Sequence, residues 1–286
     1  MTFRSSATGD IGPALLALFC GVASSACLKG MSLPAGPAIT LRALIALTLL
    51  STLVVWRWRR GAGGPLSPSG ALRAGLDGLA GLTFALAVFE LPLGLLAAIH
   101  ATVPLVSVAL AALILREPLG PRVLVALGLG LVGILIISAP GLEASPRGLV
   151  LALVSVFAYA ARDLVTRRLR PGTDMVKSVT LSTLLILLGA LLTASGGLMR
   201  PSPPDLGLLL LAVAGFLGAN TLIITAFRRA PVARIAPLRY SSILWSLLFD
   251  ALLWAHVPDR ATWAGIALVV GAGAVLLAPL PRKRTP

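Results

Sequence analysis

The sequence predicts an all-α membrane protein in which ten transmembrane helices form two inverted five-helix repeats, residues 1–141 and 142–286. Three observations lead to this fold class: composition, the distribution of basic residues between loops, and an internal repeat. Of 286 residues, 57% are apolar and 12% are charged, with a mean hydropathy of +0.97. A soluble domain is about 45–50% apolar and about 25% charged. The composition therefore excludes a soluble enzyme, a secreted disulfide scaffold and a disordered chain.

Apolar runs of about 20 residues recur along the chain, and this is the length of helix that crosses the hydrocarbon core of a bilayer. Prolines stand at many of their starts, where a missing N–H is tolerated. The ten predicted spans are 13–31, 37–56, 72–90, 92–115, 122–139, 148–169, 175–198, 205–227, 231–254 and 261–280. The linkers between them are too short for a soluble domain.

The first span contains both cysteines, Cys20 and Cys27. Seven helical residues separate them by about 10 Å along the axis, which is too far for a disulfide. Residues 24–27 resemble a lipoprotein cleavage site, although Ser24 stands where leucine is expected. We therefore expect this segment to remain in the protein as its first span.

Basic residues in the loops predict the orientation. With both termini in the cytoplasm, seventeen Lys and Arg residues fall inside and three outside, as the positive-inside rule requires of an inner-membrane protein. The inside residues are Arg4, Arg57, Arg59, Arg60, Arg73, Arg116, Arg122, Arg167, Arg168, Arg170, Lys177, Arg228, Arg229, Arg234, Arg282, Lys283 and Arg284; the outside residues are Arg147, Arg200 and Arg260. The net charge of +14 thus indicates membrane topology rather than nucleic-acid binding.

The two halves of the chain repeat each other. Residues 92–140 run parallel to 231–279 at a constant offset of 139, and 19–29 align with 157–167 at an offset of 138. The evidence is an ungapped register and a shared apolar pattern rather than identities. Because five spans is an odd number, the second half inserts upside down. Inverted repeats are typical of secondary transporters, whose site lies near the midplane between the halves.

The turn after the fourth span reads R-E-P-L-G-P-R at 116–122 and precedes an apolar, Gly-rich segment. With Arg42 near the start of the second span and two five-helix halves, it resembles the EamA-type branch of the drug/metabolite transporter superfamily. The turn H-V-P-D-R at 256–260 departs from this pattern, so the motif is firm in the first half and degenerate in the second. The resemblance implies a metabolite exporter, often of amino acids.

Ionisable groups inside spans are costly, so each is a functional candidate. His100 and Arg239 each lie about eight residues into a span, about 12 Å from the entry face and near the midplane. The offset of 139 makes them equivalent, and inversion directs both towards one cavity. Arg239 offers a bidentate fork to a carboxylate or phosphate, and His100 can donate a hydrogen bond or change its protonation. The alternative is that Arg239 pairs with a buried acid such as Asp250, while His100 joins two helices.

Other side chains at similar depth complete the predicted substrate site, although packing is the alternative for the aromatic ones: Tyr159, Asn220, Tyr240 and Trp245. The remaining charges are predicted to form two ion-pair layers. These layers either gate the cavity or only let opposite charges neutralise one another. These sets are Arg42, Glu90 and Asp250 in the outer third of the membrane, and Asp77, Arg162 and Asp163 in the inner third.

Several absences from the sequence narrow the function. The first span has no acid in its core, where small multidrug exporters of the superfamily carry a cation-binding Glu. Aromatic residues make up 5% of the chain, which is few for a cage around a lipophilic cation. There is no Walker A sequence, no metal-ligand spacing and no nucleophile–base–acid set. We therefore expect no cofactor, no metal and no enzymatic activity.

The sequence favours an inner-membrane secondary transporter, monomeric or homodimeric, that exports a small polar metabolite by alternating access, with amino acids as a candidate class. Its predicted partners are the small-molecule substrate and the lipid bilayer. A proton-coupled drug exporter on the same fold is one alternative. An alternative of another class is an intramembrane enzyme that acts on lipid-phosphate head groups through Arg239, His100 and Asp250.

Overall fold

Helices fill the computed structural model, which describes residues 11–115, 120–137, 145–169, 172–194, 200–229 and 236–277. No strand occurs in these ranges. In chain order the helices are α1 Ile11–Lys29, α2 Ala35–Arg59, α3 Pro68–Glu90, α4 Leu93–His100, α5 Val103–Leu115, α6 Pro121–Ile137, α7 Pro146–Arg167, α8 Met175–Thr193, α9 Pro203–Arg229, the 3₁₀ helix η1 Ala236–Tyr240, α10 Ser241–Trp254 and α11 Arg260–Leu277.

Within the described ranges, seven helical segments are long and apolar enough to cross a membrane: α1, α2, α3, α4 with α5, α7, α8 and α9. The apolar parts of α6 and α11, Val123–Ile136 and Arg260–Val275, are shorter. The chain is therefore a multi-pass, all-α membrane protein. Residues 116–119, 142–144 and 278–286, which carry part of the R-E-P-L turn, the turn before α7 and the basic tail, lie outside the described residues.

Side chains that cap helix N-termini explain where several helices begin. Ser67 Oγ accepts the N–H of Gly70 at 3.1 Å and is followed by Pro68, which starts α3. Ser145 Oγ likewise accepts the N–H of Gly148 at 3.3 Å at the start of α7. These caps satisfy amides that have no partner within the helix, and proline at the first position has no N–H to satisfy.

The fourth predicted span is two helices rather than one. α4 ends at His100 and α5 begins at Val103. Pro104 has no N–H to donate to the carbonyl of His100, so the helical hydrogen-bond ladder cannot continue there. The hydroxyl of Thr102 instead donates to the carbonyl of Ile99 at 2.6 Å. The break leaves His100 at the C-terminal end of a half-helix.

The described part of the ninth predicted span is also broken. The backbone changes from the 3₁₀ helix η1 to α10 between Tyr240 and Ser241. The hydroxyl of Ser242 donates to the carbonyl of Arg239 at 2.6 Å. At the offset of 139, Tyr240 corresponds to Ala101, so the two breaks fall at equivalent positions. Each break places a candidate site residue, His100 or Arg239, at its edge.

The packing of the helices joins the two halves of the chain. The most extensive contacts are those of α1 with α9, α3 with α7, α6 with α11 and α2 with α8. Further contacts pair α3 with α8, α2 with α9, α5 with α7, α1 with α10, and α4 with α10. Exchanging the first half for the second converts each of these pairs into another pair of the set or into itself, except that of α4 with α10, because α4 corresponds to η1 and α10 to α5.

The contact of α1 with α9 depends on small residues. A Cβ added to Gly215 would lie 2.7 Å from the carbonyl oxygen of Cys20, closer than real Cβ contacts. The hydroxyl of Ser24 donates across the same contact to the carbonyl of Ala212 at 2.6 Å. Close approach of two backbones through small residues is a common way for helices to associate in membranes.

Candidate functional site

A cavity of about 310 Å³ lies among α1, α3, α4, the start of α5, α7, α9, η1 and α10. Its volume is within the range of small-molecule sites. Described residues of α2, α6, α8 and α11 do not line it. The polar lining residues are Ser25, His100, Tyr159, Arg162, Asn220, Arg239, Ser242 and Ser246; most of the remaining lining is aliphatic, with Phe84 as an aromatic wall.

Arg239 reaches the cavity from η1 and is partly buried. Among the described residues, no carboxylate forms an ion pair with it and no acceptor receives a hydrogen bond from its side chain. Asp163 and Arg162 act on it electrostatically with opposite sign. Arg239 is therefore a cation that faces the cavity without a direct protein counter-ion in the described structure.

His100 is held by α7. Its Nε2 lies 2.5 Å from Ser155 Oγ, and the Ser155 hydroxyl in turn donates to the carbonyl of Ala152 at 2.9 Å. Because a hydroxyl has one proton, this arrangement makes Nε2 the donor to Ser155. The rings of Phe84 and Tyr159 lie edge-on to the imidazole, at centroid distances of 4.6 and 5.7 Å.

The structure brings the three inner charges together. Arg162 NH1 lies 2.7 Å from Asp77 Oδ1, and Arg162 NH2 lies 2.6 Å from Asp163 Oδ1. Arg73 adds a weaker ion pair to Asp77 at 3.8 Å. The guanidinium of Arg162 also lies 4.6 Å from the ring centroid of Tyr159. Arg162 therefore belongs both to a charge cluster and to the cavity wall.

The three outer charges each have a different partner, and no described ion pair joins two of them. Arg42 is buried, with its guanidinium 5.2 Å from the ring centroid of Phe216. Glu90 forms an ion pair with the exposed Arg147 at 3.5 Å. The structure thus corrects the expectation of one outer ion-pair layer, because Arg42 and Glu90 contact other groups and not each other.

Asp250 is buried and caps α4. Its two carboxylate oxygens accept the N–H groups of Leu93 and Gly94 at 3.0 and 2.6 Å. It therefore does not pair with Arg239, and it is not among the described residues that line the cavity. Arg239, His100 and Asp250 do not come together as the enzyme hypothesis requires.

The other predicted site residues divide into two groups. Asn220 and Tyr159 line the cavity, and the amide Nδ2 of Asn220 donates to the carbonyl of Phe216 at 2.9 Å. Tyr240 and Trp245 are not among its described lining residues. Trp245 packs edge-on against Phe19 at 5.2 Å, and its buried indole N–H has no acceptor among the described residues.

Comparisons with known proteins identify the family. Residues 146–278 match the EamA-like transporter family. A protein from Helicobacter pylori strain 26695, named as an uncharacterized transporter, is 30% identical over 219 residues, which are 73% of each chain. Protein RarD of Streptomyces exfoliatus is 29% identical over 60% of this chain and 55% of its own. The chain belongs to the EamA-like transporter family, in the drug/metabolite transporter superfamily.

The fold comparison extends over almost the whole EamA chain. A solved crystal structure of a protein with 17% sequence identity covers 95% of this chain and 97% of its own, with a TM-score of 0.59. The family match, in contrast, covers the second half. This is the half in which the Glu-Pro turn is degenerate, so the short motif is a poor guide to where the family similarity is strongest.

Two residues of this EamA protein were not assigned to the substrate site from the sequence: Ser155, which contacts His100, and Arg162, which lines the cavity. Their spacing in the sequence could have indicated this role. Ser155, Tyr159 and Arg162 are spaced i, i+4, i+7 and lie on one face of α7. Phe84 carries no such signal, since one aromatic residue in an apolar helix is indistinguishable from packing.

The charges around the cavity do not balance. Arg73, Arg162 and Arg239 are accompanied by Asp77 and Asp163, and both of these acids contact Arg162. Arg239 is the cation left without an ion pair in this described group. Since an isolated charge in a low-dielectric region is costly, the arrangement suits a negatively charged ligand group.

Proposed function

We propose that this EamA-family protein is a secondary transporter that exports a small metabolite carrying a carboxylate, and that its substrates are amino acids. The observation that carries the proposal is Arg239, which lines the central cavity without an ion-pair partner among the described residues. Its planar fork matches both oxygens of a carboxylate. Substrate binding would relieve the cost of its uncompensated charge.

The rest of the cavity supports a zwitterionic substrate. Asp163 attracts Arg239 electrostatically and forms an ion pair with Arg162, which lines the cavity. A substrate ammonium would be attracted by this carboxylate behind the cavity wall while the substrate carboxylate binds Arg239. His100 adds a hydrogen-bonding ring, and side chains such as Leu18, Leu96 and Phe84 provide an apolar surface for the remainder of the molecule. An amino acid with an apolar side chain fits this combination.

We further propose that ten helices form two inverted repeats with both termini in the cytoplasm of the inner membrane. The exchange pattern of helix contacts, the equivalent breaks beside His100 and Arg239, and the bias of basic loops support this architecture. The lining elements also exchange in pairs: α1 with α7, α3 with α9, α4 with η1, and α5 with α10.

Alternating access on this architecture requires two moving bodies that face each other across the cavity. The packing favours bodies that mix the two halves: α1, α9 and α10 on one side, and α3, α5 and α7 on the other. Each body is the counterpart of the other under exchange of the halves. Rocking of these bodies would expose Arg239 to either side of the membrane in turn.

The test is binding and counterflow of L-leucine and L-phenylalanine by purified protein in liposomes, with the matching amides as competitors. Wild type should prefer the acid to the amide. Arg239→Gln should remove this preference, and Arg239→Lys should weaken acid binding while it preserves folding, because lysine keeps the charge but loses the fork. Arg147→Gln is the matched control, since Arg147 is exposed and outside the cavity. An unchanged acid preference in folded Arg239→Gln would refute the carboxylate anchor.

A further inference from the structure

The side chain of Tyr240 lies in a notch formed by Gly273 of α11. A Cβ added to Gly273 would lie 2.6 Å from Tyr240 Cε2 and would overlap Cζ and Oη. The phenol ring therefore occupies the space in which any larger residue at position 273 would place its side chain. Gly273 is itself buried.

We propose that this notch positions Arg239 in the cavity, an inference that rests on the proposed role of Arg239 as the carboxylate anchor. Both residues belong to the 3₁₀ helix η1. A 3₁₀ helix has three residues per turn, so consecutive side chains diverge by about 120°. While Tyr240 is held against α11, the neighbouring Arg239 is directed to the cavity that it lines.

The contact acts through shape rather than through hydrogen bonding. Tyr240 Oη is buried and has no hydrogen-bond partner among the described residues. A tyrosine hydroxyl in this state contributes nothing that phenylalanine would lose. The ring itself is the anchor, because it is the part of η1 that fills the space over Gly273 of α11.

η1 needs such an anchor. It is five residues long, and a 3₁₀ helix has poorer hydrogen-bond geometry than an α-helix. The only described side-chain hydrogen bond to its backbone is the one from Ser242 to the carbonyl of Arg239, at 2.6 Å. That bond joins η1 to α10, whereas the Tyr240 ring joins it to α11.

In the first half of the chain, the small and the large residue of the corresponding pair are exchanged. At the offset of 139, Tyr240 corresponds to Ala101 and Gly273 corresponds to Ile134. The large residue is thus on the broken helix in the second half and on its neighbour in the first. The second half alone places a ring from the break into the neighbouring helix, and it is the half that carries Arg239.

The experiment compares Gly273→Ala with Gly271→Ala in the binding assay for L-leucine and its amide. Gly271 lies on the same helix, and a Cβ there has nothing within 4 Å. Gly273→Ala should expel the ring, misplace Arg239 and weaken acid binding by about tenfold or more, as expected for a lost hydrogen-bonded charge contact. Amide binding should change little, and Gly271→Ala and Tyr240→Phe should behave as wild type.

A double-mutant cycle isolates the contact. Tyr240→Ala should weaken acid binding as Gly273→Ala does, and adding Gly273→Ala to Tyr240→Ala should cost nothing further. If Gly273→Ala does not fold, Tyr240→Ala still tests the inference. It removes the anchoring ring and introduces no atom that would overlap a neighbour.

Two results would overturn the inference: wild-type acid binding in Gly273→Ala or Tyr240→Ala, or equal losses for the acid and the amide. These failures differ from failure of the proposed function, which appears as an unchanged acid preference in Arg239→Gln. That last result would overturn both, since an arginine that does not bind the carboxylate needs no positioning.

Discussion

The equivalent helices α1 and α7 occupy corresponding positions around the cavity but carry opposite kinds of residues. At the offset of 138, Ala17, Gly21 and Ser24 of α1 correspond to Ser155, Tyr159 and Arg162 of α7. The first set permits close packing against α9, and Ser24 donates a hydrogen bond across that contact. The second set holds His100, faces the cavity and binds two carboxylates.

This difference shows how two helices that align at a constant sequence offset carry out different tasks. The shared backbone frame requires only that each helix be apolar enough to cross the membrane and pack on its partner. One copy satisfies this with small residues. The other copy places charges and hydrogen-bonding groups on its cavity face, and their cost is offset by partners on α3 and α4.

The largest expected difference between α1 and α7 is their direction in the membrane. In a background without Cys20 and Cys27, we expect a cysteine at Arg147, at the start of α7, to be labelled from outside the cell by an impermeant reagent. A cysteine at Gly12, at the start of α1, should be labelled only after membrane rupture. Labelling of both positions from the same side would contradict the inverted arrangement.

The next difference is energetic. Arg162→Gln removes the common partner of Asp77 and Asp163, and we expect it to lower the free energy of unfolding by about 3 kcal/mol. Ser24→Ala, at the equivalent position of α1, loses one hydrogen bond and should cost about 1 kcal/mol. Unfolding in detergent, followed by thermal or steric-trapping methods, measures both.

A compensating variant sharpens this test. Asp163→Asn added to Arg162→Gln should restore part of the lost stability, because Asp77 keeps its ion pair with Arg73 and no carboxylate of the cluster is then left without a cation. A smaller loss for Arg162→Gln than for Ser24→Ala would mean that the charge cluster of α7 contributes less to folding than the packing of α1.

The third effect, smaller than that of Arg162→Gln, concerns the small-residue contact of α1. Gly215→Val should destabilise the protein by about 2 kcal/mol, because its side chain would overlap the backbone of α1. Gly207→Val is the matched control on α9, since a Cβ at Gly207 has nothing within 4 Å. Equal melting temperatures for the two variants would show that the contact of α1 with α9 tolerates separation.

The membrane class and the helical content follow from local properties of the sequence. An apolar run long enough to span the bilayer must satisfy its own backbone hydrogen bonds, and in a single segment only a helix does so. The cost of an intramembrane charge is likewise local, which is why His100, Arg162 and Arg239 could be identified as exceptional without a structure. Depth along a helix follows from counting residues, and all three line the cavity.

The tertiary structure decided which groups pair with each other and where individual side chains lie. Whether Asp250 meets Arg239 or the amides of Leu93 and Gly94 depends on which helix ends pack together, and no local pattern encodes this. Tyr240 and Trp245 are at suitable depth, yet the notch at Gly273 and the ring of Phe19 receive their side chains. Hydrophobic periodicity specifies that a residue is inside the membrane, whereas its partner is set by distances between segments far apart in the chain.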